Sequence, residues 1–193
     1  PPEEEDLIGQ FRTQTQGGWG SAANGNNPGV YRDGNFTTAF PSGLVIGESN
    51  GYNATFTTSL AVQNFLPQGG NSAVFVENYV DPTTTNAGVF AGQVTALSLS
   101  VGFDECSLAG DCAEFAPLQD DRDPSTTSLA ELVVVDASYA CVGMSVGDIL
   151  DEANLAISGQ SSSWDINQLN ECVSSINENF VDGINDEGFL GYP

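Results

Sequence analysis

The sequence has no lysine and no histidine, and its only basic side chains are Arg12, Arg32 and Arg122. Without lysine there is no Schiff-base nucleophile. Without imidazole there is no ordinary general base at neutral pH and no His ligand for zinc or iron. Set against 26 acids, the three bases leave a formal net charge of −23. That charge repels phosphate backbones and anionic lipid, so nucleic acid is not an expected partner. No apolar run reaches the roughly 18 residues of a membrane helix, so no membrane insertion is expected either. There is no C-x2-C knuckle, no histidine or lysine to activate a serine nucleophile, and Gly17-Gly18-Trp19-Gly20 lacks the lysine of a phosphate-cradling loop. Neither an enzymatic activity nor an organic cofactor is expected.

What is present suits a folded chain. At 193 residues it is long enough to bury about 70% of its unfolded surface, and its apolar content separates it from a disordered acidic tail. The four cysteines, Cys106, Cys112, Cys141 and Cys172, allow three pairings. The close pair Cys106/Cys112 suits a loop staple, leaving Cys141/Cys172 to tie a strand end to a late helix. The competing reading, a four-thiolate zinc site, normally needs the missing knuckles. Disulfides imply an oxidising compartment. The opening Pro1-Pro2-Glu3-Glu4-Glu5-Asp6 reads as a mature end after signal removal. Asn35 and Asn53 stand in N-x-[ST] sequons, which matter only where the source glycosylates.

Along the chain, residues 1–10 read as an acidic extended arm and 11–193 as one globular α+β domain. Phe11 and Trp19 are large anchors that call for burial. A single helical turn is expected at 36–40, strands at 43–47 and 52–58, and a short helix at 60–66 stopped by Pro67. A third strand is expected at 73–80. Residues 87–101 mix helical and alternating spacing, with the helix favoured. Residues 103–128 read as a long acidic loop and 129–135 as a buried strand. Ser145 and Asp148 form a capping box before a helix whose Val146, Ile149, Leu150, Ala153 and Ile157 share one face. Gly159 ends it, and a second helix from about Ser163 buries Ile166, Leu169, Val173, Ile176 and Phe180. The expected fold is therefore a small antiparallel sheet packed with several helices, including a C-terminal αα-hairpin, and stapled by disulfides.

Three stretches carry a resemblance: Thr15-Gln16-Gly17-Gly18-Trp19, Ala91-Gly92-Gln93-Val94-Thr95-Ala96-Leu97-Ser98-Leu99 and Ile176-Asn177-Glu178-Asn179-Phe180. Together they resemble a group of secreted bacterial surface or matrix domains. That group has a T-Q-G-[GY]-W opening, an A-G-Q-[LV]-x-A-L-x-L helix and a closing I-N-E-N-F. The similarity runs from Phe11 to Leu190. It implies export and a helix at 87–101, and it carries over no catalytic residue.

Calcium is the ligand the composition favours, because hard cations take oxygen ligands and loop carboxylates beside Asn and Gly supply them. One candidate set is Asp104, Glu105, Asp111 and Glu114 with Asp120, Asp121 and Asp123. The other is Asn177, Asn179, Asp182, Asn185, Asp186 and Glu187. Neither follows the EF-hand pattern, and solvated acidic loops are the alternative for both. A carboxylate pair for glycoside hydrolysis is poorly supported, since among so many acids some pair falls at a suitable spacing by chance.

The leading expectation is a secreted structural protein, a self-assembling subunit of an extracellular filament, sheath or matrix. The arm would complete the sheet of a neighbouring copy, with Leu7, Ile8 and Phe11 as apolar pegs, and cations or salt would screen the like charges. The alternative is a calcium-dependent, adhesin-like module binding a glycan or a surface.

Overall fold

The computed structural model describes residues 7–193 and is organised around one long helix, Gly88–Leu108. This helix is apolar on nearly every side and is buried accordingly. Three of its buried hydroxyls, Thr95, Ser98 and Ser100, donate to the carbonyls four residues back. Ser100 Oγ also accepts from the indole of Trp19 at 3.1 Å, and that indole is fully buried. The expected Trp19 anchor is therefore part of the core.

In chain order the elements are α1 Gln16–Trp19, α2 Pro28–Ala39, β1 Leu44–Gly47, β2 Asn53–Phe56, α3 Ser59–Phe65 and β3 Tyr79–Val80. They continue with α4 Gly88–Leu108, β4 Val133–Val134, α5 Val146–Ile157, α6 Ile166–Asn179 and β5 Leu190–Gly191. β1 and β2 pair antiparallel with Leu44 opposite Phe56, and β3 joins β2 in parallel with Val80 opposite Thr55. β4 and β5 form a second, two-stranded antiparallel sheet. One face of the larger sheet buries Leu44, Ile46, Ala54 and Phe56 in the same apolar cluster as α4 and α5.

The C-terminal hairpin follows its periodicity. Ser145 accepts from the Asp148 amide, the expected apolar positions Val146, Ile149, Ala153 and Ile157 are buried, and Gly159 takes a left-handed φ of 80° just past the helix. α6 begins at Ile166 rather than near Ser163, because Asp165 caps it by accepting from the Asn167 and Gln168 amides. Both disulfides form in the expected pairing, Cys106–Cys112 and Cys141–Cys172. The second ties the segment after β4 to the buried side of α6.

Four expectations are corrected. The single turn at 36–40 is the end of a helix that starts at Pro28, where Asn27 caps by accepting from the Val30 amide and proline takes the first helical position. At 73–80 only Tyr79 and Val80 pair with the sheet, and they do so in parallel. Upstream of them, the Phe75 amide donates to the Ile157 carbonyl, and the Val74 carbonyl accepts from the Asn86 side chain. The helix expected at 87–101 continues to Leu108, so the acidic loop begins several residues late, and Cys106 lies on a helix. Finally, 129–135 opens with a 3-10 turn at Leu129–Glu131 before the short β4.

Residues 1–6 of the expected arm lie outside the described residues. The remainder is built into the domain. Leu7 and Phe11 are buried in the main apolar cluster, Gly9 accepts from the Leu118 amide, and the Thr13 amide donates to Phe180 at the end of α6. Burial of side chains this size stabilises by about 1.5–3 kcal/mol each, so neither Leu7 nor Phe11 is a free peg. Ile8, between them, is exposed.

Candidate functional site

Counter-charges for the 26 acids are limited to three arginines. Arg122 is buried and forms a two-pronged ion pair with the carboxylate of Asp104, at 2.5 and 3.1 Å. It also donates to the carbonyls of Gln10 and Thr127. The second Asp104 oxygen accepts a further bond from the Leu129 amide at 2.7 Å. Arg32 is equally buried. It donates to the carbonyls of Trp19 and Ser21, to Ser59 Oγ and Gln63 Oε1, and pairs with Asp33 at 2.9 Å. Arg12 is half-buried, with its guanidinium over the rings of Tyr31 and Phe115. Burial pushes that guanidinium below its ordinary pKa, and Asp182 and then Tyr31 oppose the shift. Arg32 and Arg122 are thus committed to internal ion pairs, whereas Arg12 rests on the two rings and, among the described residues, donates only to the Phe115 carbonyl, at 3.4 Å.

This changes the first acidic set. Asp104, expected as a cation ligand, has both oxygens engaged inside the fold and is corrected to a structural counter-ion. Glu105 is exposed on the next turn position, its pKa raised by partial desolvation and then by the Asp104 charge. Asp111, Glu114, Asp120, Asp121 and Asp123 are exposed. The Cys106–Cys112 staple holds Asp111 close to the end of α4, whereas Asp120 and Asp121 lie on a separate 3-10 turn.

The second set is divided between clamps and a cleft. Asn179 is buried; its side chain accepts from the Phe189 amide at 2.8 Å and donates to Asp186. Asp186 also accepts from the Gly188 amide. Asp182, at a left-handed φ of 58°, accepts from Gln14 Nε2 at 2.7 Å. The Asn177 side-chain amide donates to the Gln93 backbone carbonyl and to Gln93 Oε1. These four residues pin the tail, the N-terminal segment and α4 against α6. Among the described residues, no group of three or more Asp, Glu, Cys or His side chains converges as a metal cage.

Asn185 and Glu187 do line a cleft, of about 470 Å³, together with Asp136, Tyr139, Ser175, Glu178, Val181 and Phe189. Ser175 donates to the Tyr139 hydroxyl at 3.1 Å, and Tyr139 meets Phe189 edge to face at 4.7 Å between centroids. The Ser138 hydroxyl and amide hold the Asp136 carboxylate below its usual pKa. The cleft thus presents carboxylates from three separate segments, Asp136, Glu178 and Glu187, around an aromatic pair, without gathering them into a metal cage. Sequence reasoning missed Asp136, Tyr139 and Ser175. The one available signal was the Cys141/Cys172 pairing, which brings the 136–141 segment beside α6.

Charge is also unevenly divided over the fold. The stretch 34–103, which supplies the three-stranded sheet, α3 and most of α4, carries three acids, Glu48, Glu77 and Asp81, of the chain's 26. The Asp81 carboxylate is folded back onto the amide and hydroxyl of Thr57, both at 2.6 Å. On the outer side of that sheet Val45, Thr55 and Val80 form one row across the strands.

No protein-family model, curated protein or solved structure matches the chain. Among the described residues, no helix is long and apolar enough to cross a membrane.

Proposed function

We propose that this is an exported structural protein, a subunit of an extracellular filament, sheath or matrix. The observation that carries this reading is that Arg32 and Arg122 are buried in ion pairs and Arg12 is half-buried over two rings. Among the described residues, every exposed charge is then acidic. Such copies repel in dilute solution and associate where salt or divalent cations screen them. The two disulfides fit an oxidising setting, and the long core helix, the hairpin and the staples make a rigid unit suited to mechanical use. Assembly by donating Leu7 and Phe11 to a neighbour is not part of the proposal, because both belong to the chain's own core. Electron microscopy of the native protein, with calcium and then with chelator, tests it. Uniform polymers that dissolve in chelator are expected, and dispersed particles in both conditions would overturn it.

The cleft favours a second reading, a calcium-dependent, adhesin-like module for a glycan or a surface. It predicts a monomer whose unfolding midpoint rises with calcium, and loses that rise when Glu178 and Glu187 become glutamine.

A further inference from the structure

Resting on the assembly reading, we infer that the outer face of the three-stranded sheet is the contact between copies, and that its occupant is the same face of a second copy. Two observations meet here. The first is the row Val45–Thr55–Val80, set by the strand register. Val80 is 72% exposed and Val45 48%. The segment leading into β3 exposes two further valines, Val74 and Val76, the latter 61% exposed, and Tyr52 and the Phe75 carbonyl both approach Gly159. β-Branched side chains on a flat pleated face are what sheets pack against one another.

The second observation is electrostatic. A cationic partner would be drawn to the acidic loops and the hairpin, not to a face that carries almost no charge. Two copies of a −23 chain, with no fully exposed basic side chain among the described residues, meet at least cost where charge is sparse. The sheet-bearing stretch, with Glu48, Glu77 and the internally bonded Asp81 as its only acids, is one such place, and it is the one that also exposes Val45, Val76 and Val80. A face with little charge needs no opposite charge in its partner, and it can meet itself across a two-fold axis. The sheet is small, so the contact falls below the roughly 800 Å² per partner of a stable interface. The association is accordingly weak and depends on salt to screen the remainder of the surface.

Sedimentation velocity of the full chain, over a concentration series in low and in molar sodium chloride, tests this directly. Dimers are expected to appear in high salt, without calcium. The double variant Val76→Asp/Val80→Asp should weaken the association at least tenfold. Ile184→Asp, at an exposed apolar residue of the acidic tail, should leave it unchanged. Circular dichroism confirms that each variant is folded; should the double variant fail to fold, Val45→Asp replaces it. A monomer at every salt concentration, or a dimer indifferent to the sheet substitutions, overturns the inference. Filaments that persist in the double variant would overturn this contact while leaving the assembly reading intact. Sheet-dependent dimers that never polymerise would do the reverse.

Discussion

Arg122 stands over the ring of Phe11, its guanidinium carbon 4.1 Å from the ring centroid, while its nitrogens hold Asp104. One buried cation thus joins the N-terminal segment, α4 and the loop after it. Removing the carboxylate leaves that cation buried with no counter-charge, a change that costs about 3–5 kcal/mol. Asp104→Asn is expected to lower the urea midpoint accordingly. Calcium affinity, measured by calorimetry, should not change, because Asp104 faces no external ion.

The ring beneath the guanidinium matters as much. Phe11 is fully buried and stacks on Phe180 at 5.6 Å. Phe11→Ala is predicted to cost about 3–5 kcal/mol, read from chemical denaturation. Were residues 7–11 a detachable arm, the same substitution would leave stability unchanged and alter only association.

The two disulfides should contribute unequally. Cys141–Cys172 closes a 31-residue separation and Cys106–Cys112 one of 6. Loop-closure entropy predicts losses of about 3.7 and about 2.2 kcal/mol for the paired serine variants. Denaturation of the two double mutants checks the order.

Tyr31 makes alkaline pH a probe of the aromatic cluster. Its hydroxyl donates to the Ala113 carbonyl at 2.5 Å, a bond that a phenolate cannot make. Burial, opposed by Arg12, pushes its pKa up to about 12, whereas an unfolded tyrosine titrates near about 10. Between those values the unfolded chain has lost its proton and the folded one has not. Stability is therefore intact below about pH 10 and falls as pH rises toward about 12. The half-exposed site limits the loss to about 1 kcal/mol. Tyr31→Phe should flatten that part of the pH profile.

The legibility of the sequence followed the range of the forces involved. α5 and α6 were readable because their stability lies in local periodicity and in caps such as Ser145. α2 was not, since Gly29, Gly34 and Asn35 weaken its propensity, and the informative signal was the Asn27-Pro28 start. Gly29 is there for tertiary reasons: a Cβ on it would lie 2.3 Å from the Ser21 carbonyl oxygen. The third strand was overcalled because an alternating pattern reports burial and not the identity of the bonding partner; in Phe75 that partner is the end of a helix. Among the acids, Asp104 and Asp120 look alike in sequence. What separates them is the arrival of Arg122, eighteen residues from Asp104 in the chain, at one of the two. The cleft depended on segments brought together by the Cys141–Cys172 cross-link and the β4–β5 pairing, so its Asp136 and Tyr139 carried no local mark. Of the two N-x-[ST] positions, Asn35 is occupied internally, donating to the Tyr31 carbonyl and accepting from the Ala113 amide.

The burial of the arginines also governs how the chain meets proteases. Trypsin-type enzymes cleave only after lysine or arginine. Here Arg32 lies inside a helix and Arg122 is locked in an ion pair, both with fully buried side chains. The folded protein therefore presents such an enzyme with a single half-reachable bond, after Arg12. No lysine exists for amine-directed cross-linkers either. A chain built this way persists where digestive enzymes with basic specificity are abundant, and its integrity reports directly on whether the Arg122–Asp104 and Arg32 sites remain closed.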